Sequence, residues 1–228
     1  MTEYRDHRGY GSPGTADSEG IGIEVARTDA GALMGQVMFL VSIALGFLAL
    51  GSYIGRDLTE GAALGCFFAG FGMLIVANFV ERLRFGTFAV VWLYTIALLL
   101  GLGLGPALNQ LLTVEPSVVW TAAGGTALAT VGAGAIGLLL SKDLAPWMRP
   151  LSFVILGAVA VSIVLLITGT AAPPLLSLVI LIVATLLIVV YFNYLRKHGT
   201  EQDAVWIATG IFVAIVNIFL SLLNLLSE

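Results

Sequence analysis

The side chains that could do chemistry are few in this chain, and their positions decide what can be asked of them. Both histidines lie in polar stretches, His7 near the start and His198 in a basic run, so neither is placed to activate a buried serine or to join a zinc site that needs several imidazoles. Lys142 and Lys197 also fall in polar stretches, and the last apolar segment holds no lysine that could form a Schiff base with a retinal-type chromophore. Cys66 is the sole cysteine and sits beside Phe67 and Phe68, the setting of a small packing residue rather than a reactive thiol. The fourteen acids, from Glu3 to Glu228, all fall in polar stretches or at the ends of apolar ones. A carboxylate in mid-bilayer costs about 2.5–3.5 kcal/mol to insert and is kept for handling protons or ions, so its absence argues against a proton-coupled pump. No enzyme activity, cofactor or metal site is expected.

What remains inside the apolar segments is neutral polarity: Gln36, Asn78, Asn109, Gln110, Thr126, Thr130, Asn193, Asn217 and Asn224. Such groups bond between helices for about 0.6 kcal/mol each on average. Asn78, Asn193 and Asn217 therefore have two readings, interhelical glue or the lining of a pore. Glu81, Arg82 and Arg84 form the one charge cluster beside apolar surface, serving as a gate or simply as a solvated loop. Gly101, Gly103 and Gly105 resemble a dinucleotide loop in spacing only, because no strand precedes them and Pro106 follows; they read as a closely packed helix end.

The elements that carry these residues are set by hydropathy. With 59% hydrophobic and 11% charged residues and a mean hydropathy of +1.02, the chain is too apolar to cover a soluble surface. Apolar runs long enough to cross about 30 Å of hydrocarbon occupy roughly 33–54, 59–80, 86–105, 118–140, 151–169, 174–195 and 204–226. The fold class expected is an all-α bundle of seven transmembrane helices, preceded by a flexible, polar tail over residues 1–30 with no signal-peptide pattern. Nine of the ten basic residues share one side of the membrane if the N-terminus is cytoplasmic, only Arg56 lying outside, so the C-terminus is expected on the extracytoplasmic side. Tyr53, Trp92, Trp120, Trp147, Tyr191 and Trp206 fall mostly near span ends, as interfacial anchors do. Small residues around Gly65–Gly72 and Gly124–Gly137 point to helices two and four as central. A net charge of −4 without a basic face excludes nucleic acid as partner; the lipid bilayer of a prokaryotic cytoplasmic membrane is the expected setting.

Several stretches are more specific: Gly105-Pro106-Ala107-Leu108-Asn109, Gly124-Gly125-Thr126-Ala127-Leu128, His198-Gly199, and Ile215-Val216-Asn217-Ile218-Phe219-Leu220 followed by Leu222 and Leu223. Over residues 30 to 226 the chain resembles the Bax inhibitor-1 family, nearest its bacterial YccA-like branch. The resemblance implies seven helices with the N-terminus inside, and either a calcium-permeable, pH-sensitive leak or a modulator and partner of a membrane-bound AAA protease. It also implies a pair of switch carboxylates on helices six and seven that share a proton. At those positions this chain has Phe192 and Ala214. Neither can titrate or bind calcium, so the family's ion switch is missing here. Two expectations stay open: a non-enzymatic protein that binds other membrane proteins, the tail being one handle, or a leak path lined by the asparagines.

Overall fold

The structure, a computed structural model, describes residues 16–80, 86–170 and 173–227 of the 228. Every regular element among them is helical. The helices are α1 (Ala16–Gly55), α2 (Glu60–Phe79), α3 (Gly86–Val114), α4 (Pro116–Leu139), α5 (Met148–Ile167), α6 (Pro174–His198) and α7 (Ala204–Leu226), with single 3-10 turns at Ala145–Trp147 and Glu201–Asp203. Seven segments are long and apolar enough to cross a bilayer, as expected from the sequence. Hydrocarbon offers backbone amides no partner, and a helix satisfies them within the segment. The spanning part of α1 starts at Gly31, and the helix itself reaches back to Ala16, into the segment read as tail.

The main difference in boundaries is at α3, which does not stop at Gly105 but continues through Pro106 to Val114. Proline has no N–H to give to the carbonyl of Leu102 one turn earlier. That carbonyl lies against Gly55 of α1, and a helix neighbour at such a point is what lets proline persist inside a membrane helix.

The packing runs along two axes. α6 and α7 are the most enclosed helices, α7 presenting Ile207, Ile211, Phe212 and Ile218 and α6 presenting Ala184 and Ile188, all fully buried. α1 and α3 form the second axis through facing pairs of glycines four residues apart, Gly51 and Gly55 on α1 and Gly101 and Gly105 on α3. A Cβ on Gly101 would overlap the Leu48 carbonyl, one on Gly51 the Leu98 carbonyl, and one on Gly105 would stand 2.5 Å from the Gly55 carbonyl carbon. Two backbones can meet this closely only where side chains are absent. Phe47 and Tyr94 stack across the same pair of helices at 5.2 Å between ring centroids.

The glycine-rich helices expected at the centre divide. α4 packs on α6 and α7 along one face, with Gly134 and Gly137 against Phe192, and leaves Trp120, Leu128, Val131 and Leu139 exposed on the other. α2 is peripheral and rests on α3, through Gly70 beneath Leu100 and the Trp92 indole N–H donating to the Met73 carbonyl at 3.2 Å. Gly61, Gly65 and Gly72 face open space. Small-residue spacing marks a helix as able to pack closely, but it does not say on which side, and the seam it predicts formed on α1 and α3 instead.

Candidate functional site

One set of polar side chains that bond between helices lies where α4 stops, α5 starts, α6 finishes and α7 begins. This is called the basic end below. Its centre is Asn193, fully buried on α6. The Asn193 amide donates to the Gly137 carbonyl at 3.2 Å and to the Leu140 carbonyl at 3.0 Å, and its Oδ1 accepts the Leu144 N–H at 3.0 Å. The last carbonyls of a helix have no partner within it, so α6 here caps the C-terminus of α4 with a side chain.

The next turn of α6 continues the clasp. Arg196 donates to the Leu140 carbonyl at 2.6 Å, Lys197 donates to the Ser141 carbonyl, and His198 Nε2 meets Asp143 Oδ2 at 2.8 Å. Three basic residues in the last turn also complement the negative end of the α6 dipole. Asp143 Oδ1 in turn accepts the Ala145 N–H at 3.0 Å, shaping the 3-10 turn that leads into α5. The Ala145 N–H, then His198, then Lys197 hold the Asp143 carboxyl below its ordinary range. Across the following corner, Thr200 and Asp203 form a reciprocal cap, and the Trp206 ring meets Tyr191 and Tyr194 edge-on at 6.2 and 6.0 Å.

Sequence reasoning used Arg196 and Lys197 to orient the chain and weighed His198 as a catalytic or zinc-binding group, and it missed their role in holding the α4–α5 connection. The available signal was their run in the last turn of a helix, one turn after an apolar-segment asparagine.

The other residues singled out from the sequence do not converge with Asn193. Asn217 donates to the Val213 carbonyl of its own helix at 2.9 Å and is half-buried. Asn224 reaches Ser177 at 2.9 Å, joining α7 to α6 near the opposite end. Phe192 is buried with its ring 3.2–3.4 Å from where a Cβ on Gly134 would lie, and Gly137 sits under its Cβ. Ala214 is buried in α7. The α6 ring turned toward α7 is Tyr191, nested over Gly210. The Asn78 side chain and the cluster Glu81, Arg82 and Arg84 lie outside the described residues. Among the described residues no three His, Cys, Asp or Glu side chains gather as a metal site would require.

Two surface depressions accompany this arrangement. One of about 360 Å³ lies at the opposite end, lined by Ala107, Gln110, Leu111, Val114, Glu115 and Ser227. One of about 240 Å³ lies on the lipid-facing side of α1, lined by Ile43, Gly46, Phe47 and Leu50. Neither reaches Asn193 or Asn217.

Within the clasp the Asn193 oxygen accepts the Leu144 N–H, and the Gly137, Leu140 and Ser141 carbonyls each receive a side-chain donor from α6. What the clasp does is fix three helix ends against one another.

A family model described as "Inhibitor of apoptosis-promoting Bax1" matches residues 31–228. The chain is also similar to "Uncharacterized protein PA2604" of Pseudomonas aeruginosa, at 28% identity over 191 residues, covering 82% of this chain and 84% of that protein.

Proposed function

The chain belongs to the Bax inhibitor-1 family, and from that premise we propose that it is a multi-pass membrane protein that acts by binding other membrane proteins rather than by catalysis or by proton-gated ion flow. A membrane-bound AAA protease is the partner class that the YccA-like resemblance favours. The proposal sets the protein in a prokaryotic cytoplasmic membrane, with the N-terminus and the basic end on the cytoplasmic side.

The observation that carries this reading is the filling of the switch positions. Where the family pattern implies two carboxylates, Phe192 sits in a notch formed by Gly134 and Gly137, and Ala214 is enclosed in α7. Carboxylates held close share a proton and can bind calcium; a benzyl ring and a methyl group do neither at any pH. Asn193, the polar group next to this position, is committed to the α4–α5 connection. A calcium or cation leak through the bundle is the competing reading.

Calcium and proton flux into liposomes holding the purified protein, measured from about pH 5 to about pH 8, tests the choice. The expected outcome is no flux in the native protein and flux gained by the double variant Phe192→Asp, Ala214→Asp. Robust native flux would overturn the partner-binding reading in favour of the leak.

A further inference from the structure

We infer that α5 is a strap hinged at its basic end: the Asn193 clasp holds its entry, and its opposite half is free to swing away from the bundle. The inference is independent of what the protein binds.

Three features of the structure carry it. The first is how α5 is buried along its length. Met148 and Ile155 are buried, and Leu151, Ala158 and Val159 pack against the core. Beyond Val159, no described α5 residue belongs to that core, and Val161, Val164 and Ile167 are exposed. Burial falls along the helix: its first half holds buried side chains, whereas Ser162, Ile163 and Leu165 in the second half are half-buried.

The second is what α5 rests on. Its packing is against α6 and the Ala145–Trp147 turn, whereas α4, α6 and α7 each pack against several helices. α2 is also peripheral, but it is pinned near its middle by Gly70 under Leu100, by Phe67 against Gly103, and by the Trp92 to Met73 bond. Among the described residues α5 has no comparable attachment past Val159; nearer the basic end, the Ser152 hydroxyl lies within reach of the buried Tyr191. Ser162, further on, bonds only to the Ala158 carbonyl of its own helix.

The third is how differently the two ends of α5 are joined to the chain. At the basic end, Asn193, Arg196, Lys197 and His198 bond the segment from Gly137 to Leu144, so the direction in which α5 departs is fixed by side chains of α6. At the opposite end the helix finishes in a turn with Gly169 at φ +69°, a left-handed conformation that glycine adopts without strain, and the side-chain hydrogen bonds among the described residues there are local ones of Thr168 with Leu165 and Thr170. A rod fixed at one end and weakly packed at the other pivots about the fixed end.

Spin-label distances on the full chain in lipid nanodiscs test the assignment, with Cys66→Ser as background. One pair, Arg149→Cys with Phe88→Cys, spans α5 to α3 at the basic end; the other, Val164→Cys with Leu112→Cys, spans them at the opposite end. Phe88, Leu112 and Val164 are exposed positions, so the labels displace no core packing. The expected result is a distance distribution at least about twofold wider for the Val164 pair than for the Arg149 pair. Adding Asn193→Leu should widen the Arg149 pair to match. Equal widths in the native background overturn the inference, and so does an Arg149 pair left narrow by Asn193→Leu. Should that variant fail to assemble, Asp143→Asn removes one contact of the clasp and is read the same way against the same two pairs.

Discussion

The α1–α3 seam and the α4–α5–α6 clasp both bring backbone close to another helix, and they do so by opposite means. In the seam, side chains are deleted: Gly51, Gly55, Gly101 and Gly105 let carbonyl oxygens of one helix lie on Cα atoms of the other. In the clasp, side chains are extended: Asn193, Arg196 and Lys197 reach across to carbonyls at the end of α4. The seam is held by dispersion and shape, which depend on every atom in the contact. The clasp is held by discrete bonds, each of which can be removed singly. The seam should therefore be intolerant of any added atom, and the clasp intolerant only of losing polar groups.

The largest expected effect breaks the seam. Gly101→Ala places a methyl group on the Leu48 carbonyl and should cost about 3 kcal/mol, read as a fall in the thermal midpoint in detergent. Gly65→Ala, whose methyl meets open space, should cost nothing and serves as the control; equal losses at the two positions would remove the distinction between seam and surface glycines. A smaller effect tests the clasp. Asn193→Leu leaves the Gly137 carbonyl and the Leu144 N–H without their partner and should cost about 2 kcal/mol. Asn217→Leu, which loses a bond within its own helix, should change stability by less than about 0.5 kcal/mol on the same assay.

The smallest effect concerns acid. The folded state holds the Asp143 carboxyl below its ordinary value of 3.8, so its contribution is complete above that value and is lost as the pH falls through the depressed folded one. The protection of the Leu144 and Ala145 amides, taken relative to their intrinsic exchange rates, should fall in that acid window, and Asp143→Asn should remove that fall. Because the carboxylate is exposed, water screens the interaction and only the turn, not the bundle, should respond.

How much of this was legible in the sequence follows from what each signal measures. Seven spans emerge from hydropathy because the requirement to cross hydrocarbon acts on every residue of a segment at once. The end of α3 was misplaced because Pro106 reads locally as a terminator; what allows the helix to continue is Gly55 on another helix, which is not local information. Glycine spacing likewise announces close approach without naming the partner, so the central role expected for α2 went to the α1–α3 pair. Asn193 was legible as an interhelical polar group, and so was the choice between glue and pore lining. Which of these it serves depends on Leu140 and Leu144, more than forty residues earlier in the chain, arriving beneath it. Phe192 was visible as a departure from the family pattern, while the notch that receives it, Gly134 with Gly137, read only as small residues on α4.

The seam also bears on how the molecule is made. The tightest mate of α1 is not the next helix to leave the ribosome but the one after it, and α2, which rests on α3, lies between them in the chain. During synthesis α1 must wait in the bilayer with its glycine face covered by lipid until α3 arrives to displace those acyl chains. Interrupting translation after α2 would therefore leave a pair of helices with little to hold them together, whereas interrupting it after α3 would leave the first stable subassembly of the protein.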